Sequence, residues 1–190
     1  MKPLLTGTLA VVAFCCATLV AAAPLKLKPA NPQPSGLRSG LSVVYAYPDE
    51  VKSLNDADAA LRKGAQAGRP LKGLDYRDTN EGDKTLTSKR ALHVVAKIKG
   101  YVKFDAPGVY NIDFLSNDGL RAKIGGQLVS RFDGRQPCEP TYGSEVEVPV
   151  AGWYPLDIVY FQRLGTSCLH MRSAPAGKRI TWMPNKAFGH

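Results

Sequence analysis

Histidine is scarce in this chain of 190 residues: His93, His170 and His190 are the only three. They lie far apart and lack metal-ligand spacing, so a histidine-built metal centre has no signature here. Also missing are Gly-x-Ser-x-Gly, His-Glu-x-x-His and a phosphate-cradling glycine loop. The acidic residues are dispersed, and no two of them mark a glycosidase pair. These absences argue against an enzyme. No dense block of Lys or Arg with interleaved aromatics occurs, although the formal net charge is +9. The excess reads as a solvated basic surface rather than a nucleic-acid interface. There is no internal repeat. The apolar stretch at residues 9–20 is Ala- and Thr-rich and short for a membrane span.

That stretch is informative in another way. Lys2 precedes it and Ala21, Ala22 and Ala23 follow, which is the pattern of a secretory signal cut after Ala22. The expected layout is a signal peptide at 1–22, a Pro/Lys-rich linker at 23–39 and one domain at 40–190. The expected location is periplasmic or secreted, with no transmembrane segment after cleavage. Cysteine usage agrees. Cys15 and Cys16 fall in the signal, leaving Cys138 and Cys168. Both flank turn-like segments, so an oxidising compartment favours a surface bridge between loops over two free buried thiols.

The domain itself is written in alternation. In residues 100–134, Val102 and Phe104 share one face and Lys103 and Asp105 the other; Tyr110, Ile112 and Phe114 then alternate with Asn111 and Asp113. Turns are marked at Pro107-Gly108, Ser116-Asn117-Asp118-Gly119, Gly125-Gly126 and Asp133-Gly134, and the whole reads as an antiparallel meander. Residues 41–47, 145–148, 154–161 and 168–172 add further strands. Ser53-Leu54-Asn55-Asp56 resembles a capping box opening a helix, closed by Arg62, Lys63 and Gly64. The fold class is mainly β: an antiparallel β-sandwich with one short helix near residues 54–63.

Several of these motifs, in this order, resemble the PA-fourteen domain, the lectin-like β-sandwich named after bacterial protective antigen. They are Gly100, Pro107-Gly108-x-Tyr110-x-Ile112-x-Phe114, Ser116-Asn117-Asp118-Gly119, Ile124-Gly125-Gly126, Phe132-Asp133-Gly134 and Val150-x-Gly152-Trp153-Tyr154-Pro155-Leu156. The resemblance implies that two adjacent aspartates, joined by a cis peptide, hold a calcium ion that meets sugar hydroxyls. It also implies a second loop that supplies an asparagine and specificity. The aspartate pair maps onto Asn117 and Asp118, and the second loop onto residues 162–167.

Both mapped sites depart from that pattern. Asn117 removes one negative charge, and calcium affinity depends on ligand charge. Arg163 stands where a neutral ligand is expected; a cation 4 Å from the metal is repelled by about 4 kcal/mol at an effective dielectric near 20. Asn117-Asp118-Gly119 is equally compatible with a plain hairpin turn held by Asx-type hydrogen bonds. The candidate ligand residues are Asn117, Asp118, Gln162, Arg163 and, in a polar loop, Tyr142; the candidate calcium ligands are Asn117 and Asp118. Arg131, Arg135 and Arg163 form a candidate basic rim for an acidic glycan or protein. The expected function is non-catalytic binding of a carbohydrate or cell-envelope component through residues 116–119 and 162–167. The alternative is a structural or protein-interaction module without a sugar or calcium site.

Overall fold

The computed structural model describes residues 22–190. In chain order, the elements are β1 (Leu25–Lys26), β2 (Ser42–Ala46), α1 (Leu54–Lys63), β3 (Gln66–Ala67), β4 (Asp75–Tyr76), β5 (Val94–Phe104), β6 (Gly108–Asn117) and β7 (Gly119–Ile124). There follow β8 (Gln127–Phe132), β9 (Glu139–Pro140), β10 (Ser144–Val148), β11 (Gly152–Gln162), β12 (Cys168–Pro175), β13 (Thr181–Trp182) and β14 (Phe188–Gly189). They form two facing sheets, a β-sandwich. One has the order β1-β10-β6-β12-β13, with β4 on β12 and β9 on β6; the other has the order β3-β2-β5-β11-β7-β8, with β14 on β5. No helix among the described residues is long and apolar enough to cross a membrane.

The alternation places the core. Val94, Ala96, Ile98, Val102 and Phe104 of β5 point between the sheets, as do Ile112 and Phe114 of β6, Tyr154, Leu156, Ile158 and Tyr160 of β11, and Leu169 and Met171 of β12. The opposite face of β5 and β11 is buried too, because α1 covers it. Leu54 and Ala57 pack on Val95, Val159 and Phe161 in a second cluster. The helix starts where the sequence marks it. Ser53 Oγ accepts the Asp56 N–H at 3.1 Å, and Asp56 Oδ2 accepts the Lys52 N–H at 2.9 Å. Arg121 of β7 then clamps the helix through both oxygens of Asp58, at 2.9 and 2.8 Å.

Two expectations are corrected. The chain does not meander within one sheet. β5 and β7 lie in one sheet and β6 in the other, so Pro107-Gly108 and Asn117-Asp118 are crossings between sheets; only Gly125-Gly126, both at positive φ, closes a hairpin. Local turn chemistry is the same in either case, and the partner of the next strand is set by long-range packing. Second, the stretch 23–39 is no tether. β1 pairs in parallel with β10, Leu27 is buried, Leu27 N–H donates to Glu147 O at 2.9 Å and Ala30 N–H to Trp153 O at 2.9 Å. Gln33 closes the edge of β11, accepting the Trp153 N–H at 2.7 Å and donating to Trp153 O at 3.0 Å. The sandwich therefore begins near Leu25, not residue 40. The signal segment expected at 1–22 lies, except for Ala22, outside the described residues.

Candidate functional site

The crossing from β6 to β7 is built from both sheets. Next to the end of β6 is Ser116, an inward position where a hydroxyl replaces an apolar side chain and donates to Asp118 O at 2.7 Å. Asp118 N–H donates to Phe161 O at 3.0 Å, and the Tyr160 hydroxyl, wholly buried, donates to Asn117 O. The Asn117–Asp118 peptide is cis. Gly119 serves space rather than an unusual φ: a Cβ there would fall inside the ring of Phe161. The crossing is thus fixed by buried groups on β11.

Above it lies a shallow cleft of about 460 Å³, lined by Asn117, Asp118, Arg135, Gln136, Pro137, Leu164, Gly165 and Thr166. Hollows of similar volume occur elsewhere, such as one of about 440 Å³ beside Arg69, Lys72, Asp75 and Tyr76. That hollow is lined by no buried polar residue, whereas Asn117 and Asp118 are 6% and 4% exposed. The Asn117 amide donates to Thr166 Oγ1 at 3.1 Å, and Asp118 Oδ2 accepts the Arg163 backbone N–H at 2.8 Å. Burial pushes the Asp118 carboxyl above the usual carboxylate range. The backbone N–H groups of Arg163 and Gln136 and the charges of Arg135 and Arg163 pull the other way. Gln136 in turn donates its side-chain amide to Ser116 O at 3.0 Å and Glu139 O at 3.1 Å.

A disulfide pins the cleft wall. Cys138 and Cys168 are bridged, with Cα atoms 5.8 Å apart, and Cys168 is the β12 partner of Asn117. The loop carrying Arg135 and Gln136 is thereby tied to the strand beside the crossing. His170 stands next to the bridge, within 4.8 Å of both sulfurs; with the thiols oxidised, the three are not a metal set.

The match to known proteins follows this geometry. A family model for the PA14 domain matches residues 74–186. The chain belongs to the PA14 domain family. Among solved structures, the PA14 domain of the MpAFP antifreeze protein matches with a TM-score of 0.69 at 15% identity, over 82% of this chain and 93% of that one. A PA14 sugar-binding domain from an RTX adhesin gives 0.62 at 18% identity, over 80% and 98%. The epithelial adhesin 9 A domain of Candida glabrata, solved with Galβ1-3GlcNAc, gives 0.60 at 16% identity, over 84% and 92%. At such identities, the likeness establishes the PA14 fold. A search of curated proteins gave no match.

Within this PA14 domain, the expected ligand residues separate. Asn117 and Asp118 share the cleft. Gln162 does not reach it: its amide is buried at the end of β11 and donates to Leu164 O at 2.8 Å, shaping the loop from beneath. Arg163 turns its guanidinium to Glu50 at 2.6 Å and offers the site only its backbone N–H. Tyr142 is 81% exposed but does not line the cleft. Its neighbour Thr141 is bonded to Phe114 O, three residues and ~10 Å along β6 from Asn117. The proposed arginine rim also resolves, since Arg131 pairs with Asp133 at 2.8 Å and only Arg135 faces the cleft. The second loop expected at 162–167 does line the cleft, through Leu164, Gly165 and Thr166; sequence reasoning missed Gln136, whose proximity to Asn117 depends on the disulfide and on β12.

The donor set does not fit a calcium ion well enough to build on. Such an ion takes six to eight oxygens and gains affinity with carboxylate count. Here the crossing carries one carboxylate, one oxygen of which already accepts a backbone N–H, and a guanidinium lines the same cleft.

Proposed function

We propose that this PA14 domain is an exported, non-catalytic carbohydrate-binding module, and that it takes sugar hydroxyls directly in the cleft at Asn117 and Asp118. The observation that carries the reading is a buried carboxylate and amide in an open cleft, the carboxylate held by the Arg163 backbone N–H and the amide by the Thr166 hydroxyl. A carboxylate fixed in this way accepts hydroxyl hydrogen bonds without first reorganising, and charge-assisted bonds are the strong ones. The sugar-binding adhesin domains that share the fold support the same class of ligand. The disulfide suits a protein that works outside the reducing cytosol.

The test is a glycan-panel screen of the purified protein, run once with calcium and once with chelator. Binding that survives chelator and is lost in Asp118→Ala, with an unchanged far-UV spectrum, is the expected result. Binding that needs calcium would reinstate the metal. One observation favours the alternative, an interaction module without a sugar site: the Asn117 amide is already spent on Thr166. A panel without hits would favour it.

A further inference from the structure

The carbohydrate reading leaves the charge of the ligand open, and the cleft carries information on it. Five arginines around the sandwich are matched to carboxylates: Arg77 to Asp75, Arg121 to Asp58, Arg131 to Asp133, Arg163 to Glu50 and Arg172 to Asp113. Arg135 forms no ion pair among the described residues, as is also true of Arg38, Arg62, Arg69, Arg90 and Arg179; what sets it apart is that it shares the cleft with Asp118. The carboxylate of the cleft is instead engaged by backbone: Asp118 Oδ2 accepts the Arg163 N–H at 2.8 Å. The loop that presents Arg135 is also held in place, by the bridge at Cys138 and by the bonds from Gln136 to Ser116 and Glu139. An exposed arginine thus shares a cleft with hydroxyl-binding groups and has no ion pair of its own.

The geometry points to an anionic glycan as the ligand of this site: a sugar whose carboxylate or sulfate is taken by Arg135 while its hydroxyls meet Asp118, Asn117 and Thr166. A planar guanidinium bonds either anion through two parallel N–H groups, which a lysine does not reproduce. The inference rests on the carbohydrate reading above. The two groups divide the work, since an ionised Asp118 can only accept and Arg135 can only donate. An anion placed at Arg135 and hydroxyls placed at Asp118 therefore fix the sugar in one orientation. The reverse orientation would set the anion against a carboxylate. The basic surplus of the chain, +9 overall, works in the same direction by drawing polyanions toward the surface.

The experiment compares matched glycans that differ only in charge: trigalactose, trigalacturonate and 6-sulfated trigalactose, titrated calorimetrically into the wild type, Arg135→Gln, Arg135→Lys and Asp118→Asn. The wild type is expected to prefer an anionic member over the neutral one by about tenfold or more, the scale of one charge-assisted contact. The carboxylate and sulfate arms show which anion is taken. Arg135→Gln should bring that ratio close to one, and Arg135→Lys should restore only part of it. Asp118→Asn should weaken charged and neutral ligands together and leave the ratio in place. Equal affinity for the neutral and charged members, or a preference that survives Arg135→Gln, overturns the inference while the carbohydrate reading stands. Failure of all three glycans to bind, together with an empty neutral panel, removes both.

Discussion

Removing the bridge between Cys138 and Cys168 should cost the domain several kilocalories and soften one wall of its cleft. The two cysteines are 30 residues apart. In the chain-entropy description, closing a loop of that size removes about 12 cal/mol/K from the unfolded ensemble, or about 3.6 kcal/mol at room temperature. For a domain of this length, each kilocalorie moves the melting temperature by 2–4 °C, so the expected fall is about 10 °C. Native contacts should persist, because β12 stays paired with β6 and β11 with β7 without the bridge. The measurement is differential scanning calorimetry of the oxidised protein, the same protein reduced by a phosphine, and Cys138→Ala/Cys168→Ala. Reduced and doubly substituted proteins should melt together, well below the oxidised form. Hydrogen exchange should speed up locally at residues 134–139, where Arg135 and Gln136 sit. A melting temperature within ~2 °C of the oxidised form would refute the loop-closure reasoning. It would mean that the unfolded chain is already held compact there by other means.

Two further predictions concern the carboxylate and the N-terminal strap. Burial raises the Asp118 pKa in the fold above its unfolded value of about 3.9. Its contribution to stability is then full below that unfolded value and is lost as pH rises through the raised folded one. Asp118→Asn should therefore raise the melting temperature at neutral pH and lose that advantage below about pH 4; a variant less stable than wild type at pH 7 would show that the surrounding N–H groups outweigh burial. Leu27 is 1% exposed, so Leu27→Ala should cost about 2–4 kcal/mol in urea denaturation, whereas a free tether would give no change.

The strands were legible because a half-buried sheet imposes a period of two, which β5 keeps from Ala96 to Phe104; Val95 breaks it where α1 covers the other face. The helix was legible because its cap is local: Ser53 and Asp56 are three residues apart. What escaped depends on partners distant in sequence. Arg163 turns away from the crossing because Glu50 lies beside it, 113 residues earlier in the chain. Asn117-Asp118 has the composition of a hairpin turn, and nothing local says that β7 joins the other sheet. The strap at 25–39 was obscured by its prolines and lysines, although Leu25-Lys26-Leu27-Lys28 already alternates. Gln162 looked like a ligand because it is polar and sits at a loop, yet its amide is consumed by Leu164 O. Polarity in sequence does not separate a group that faces a ligand from one that supports the loop.

The strap also fixes which way the molecule faces. Gln33 grips Trp153, and β1 lies against Val146 and Glu147, opposite Tyr110 and Val109 of β6. The cleft is at the other end of the same strands, at Asn117 and Phe161. Eight residues of β11 separate Trp153 from Phe161, which is about 26 Å of extended chain. A bead, dye or sensor surface coupled just ahead of Leu25 would thus hold the domain by its far pole. The cleft would be presented outward like the head of a pin, and glycans displayed on an opposing surface could reach it without the support in the way.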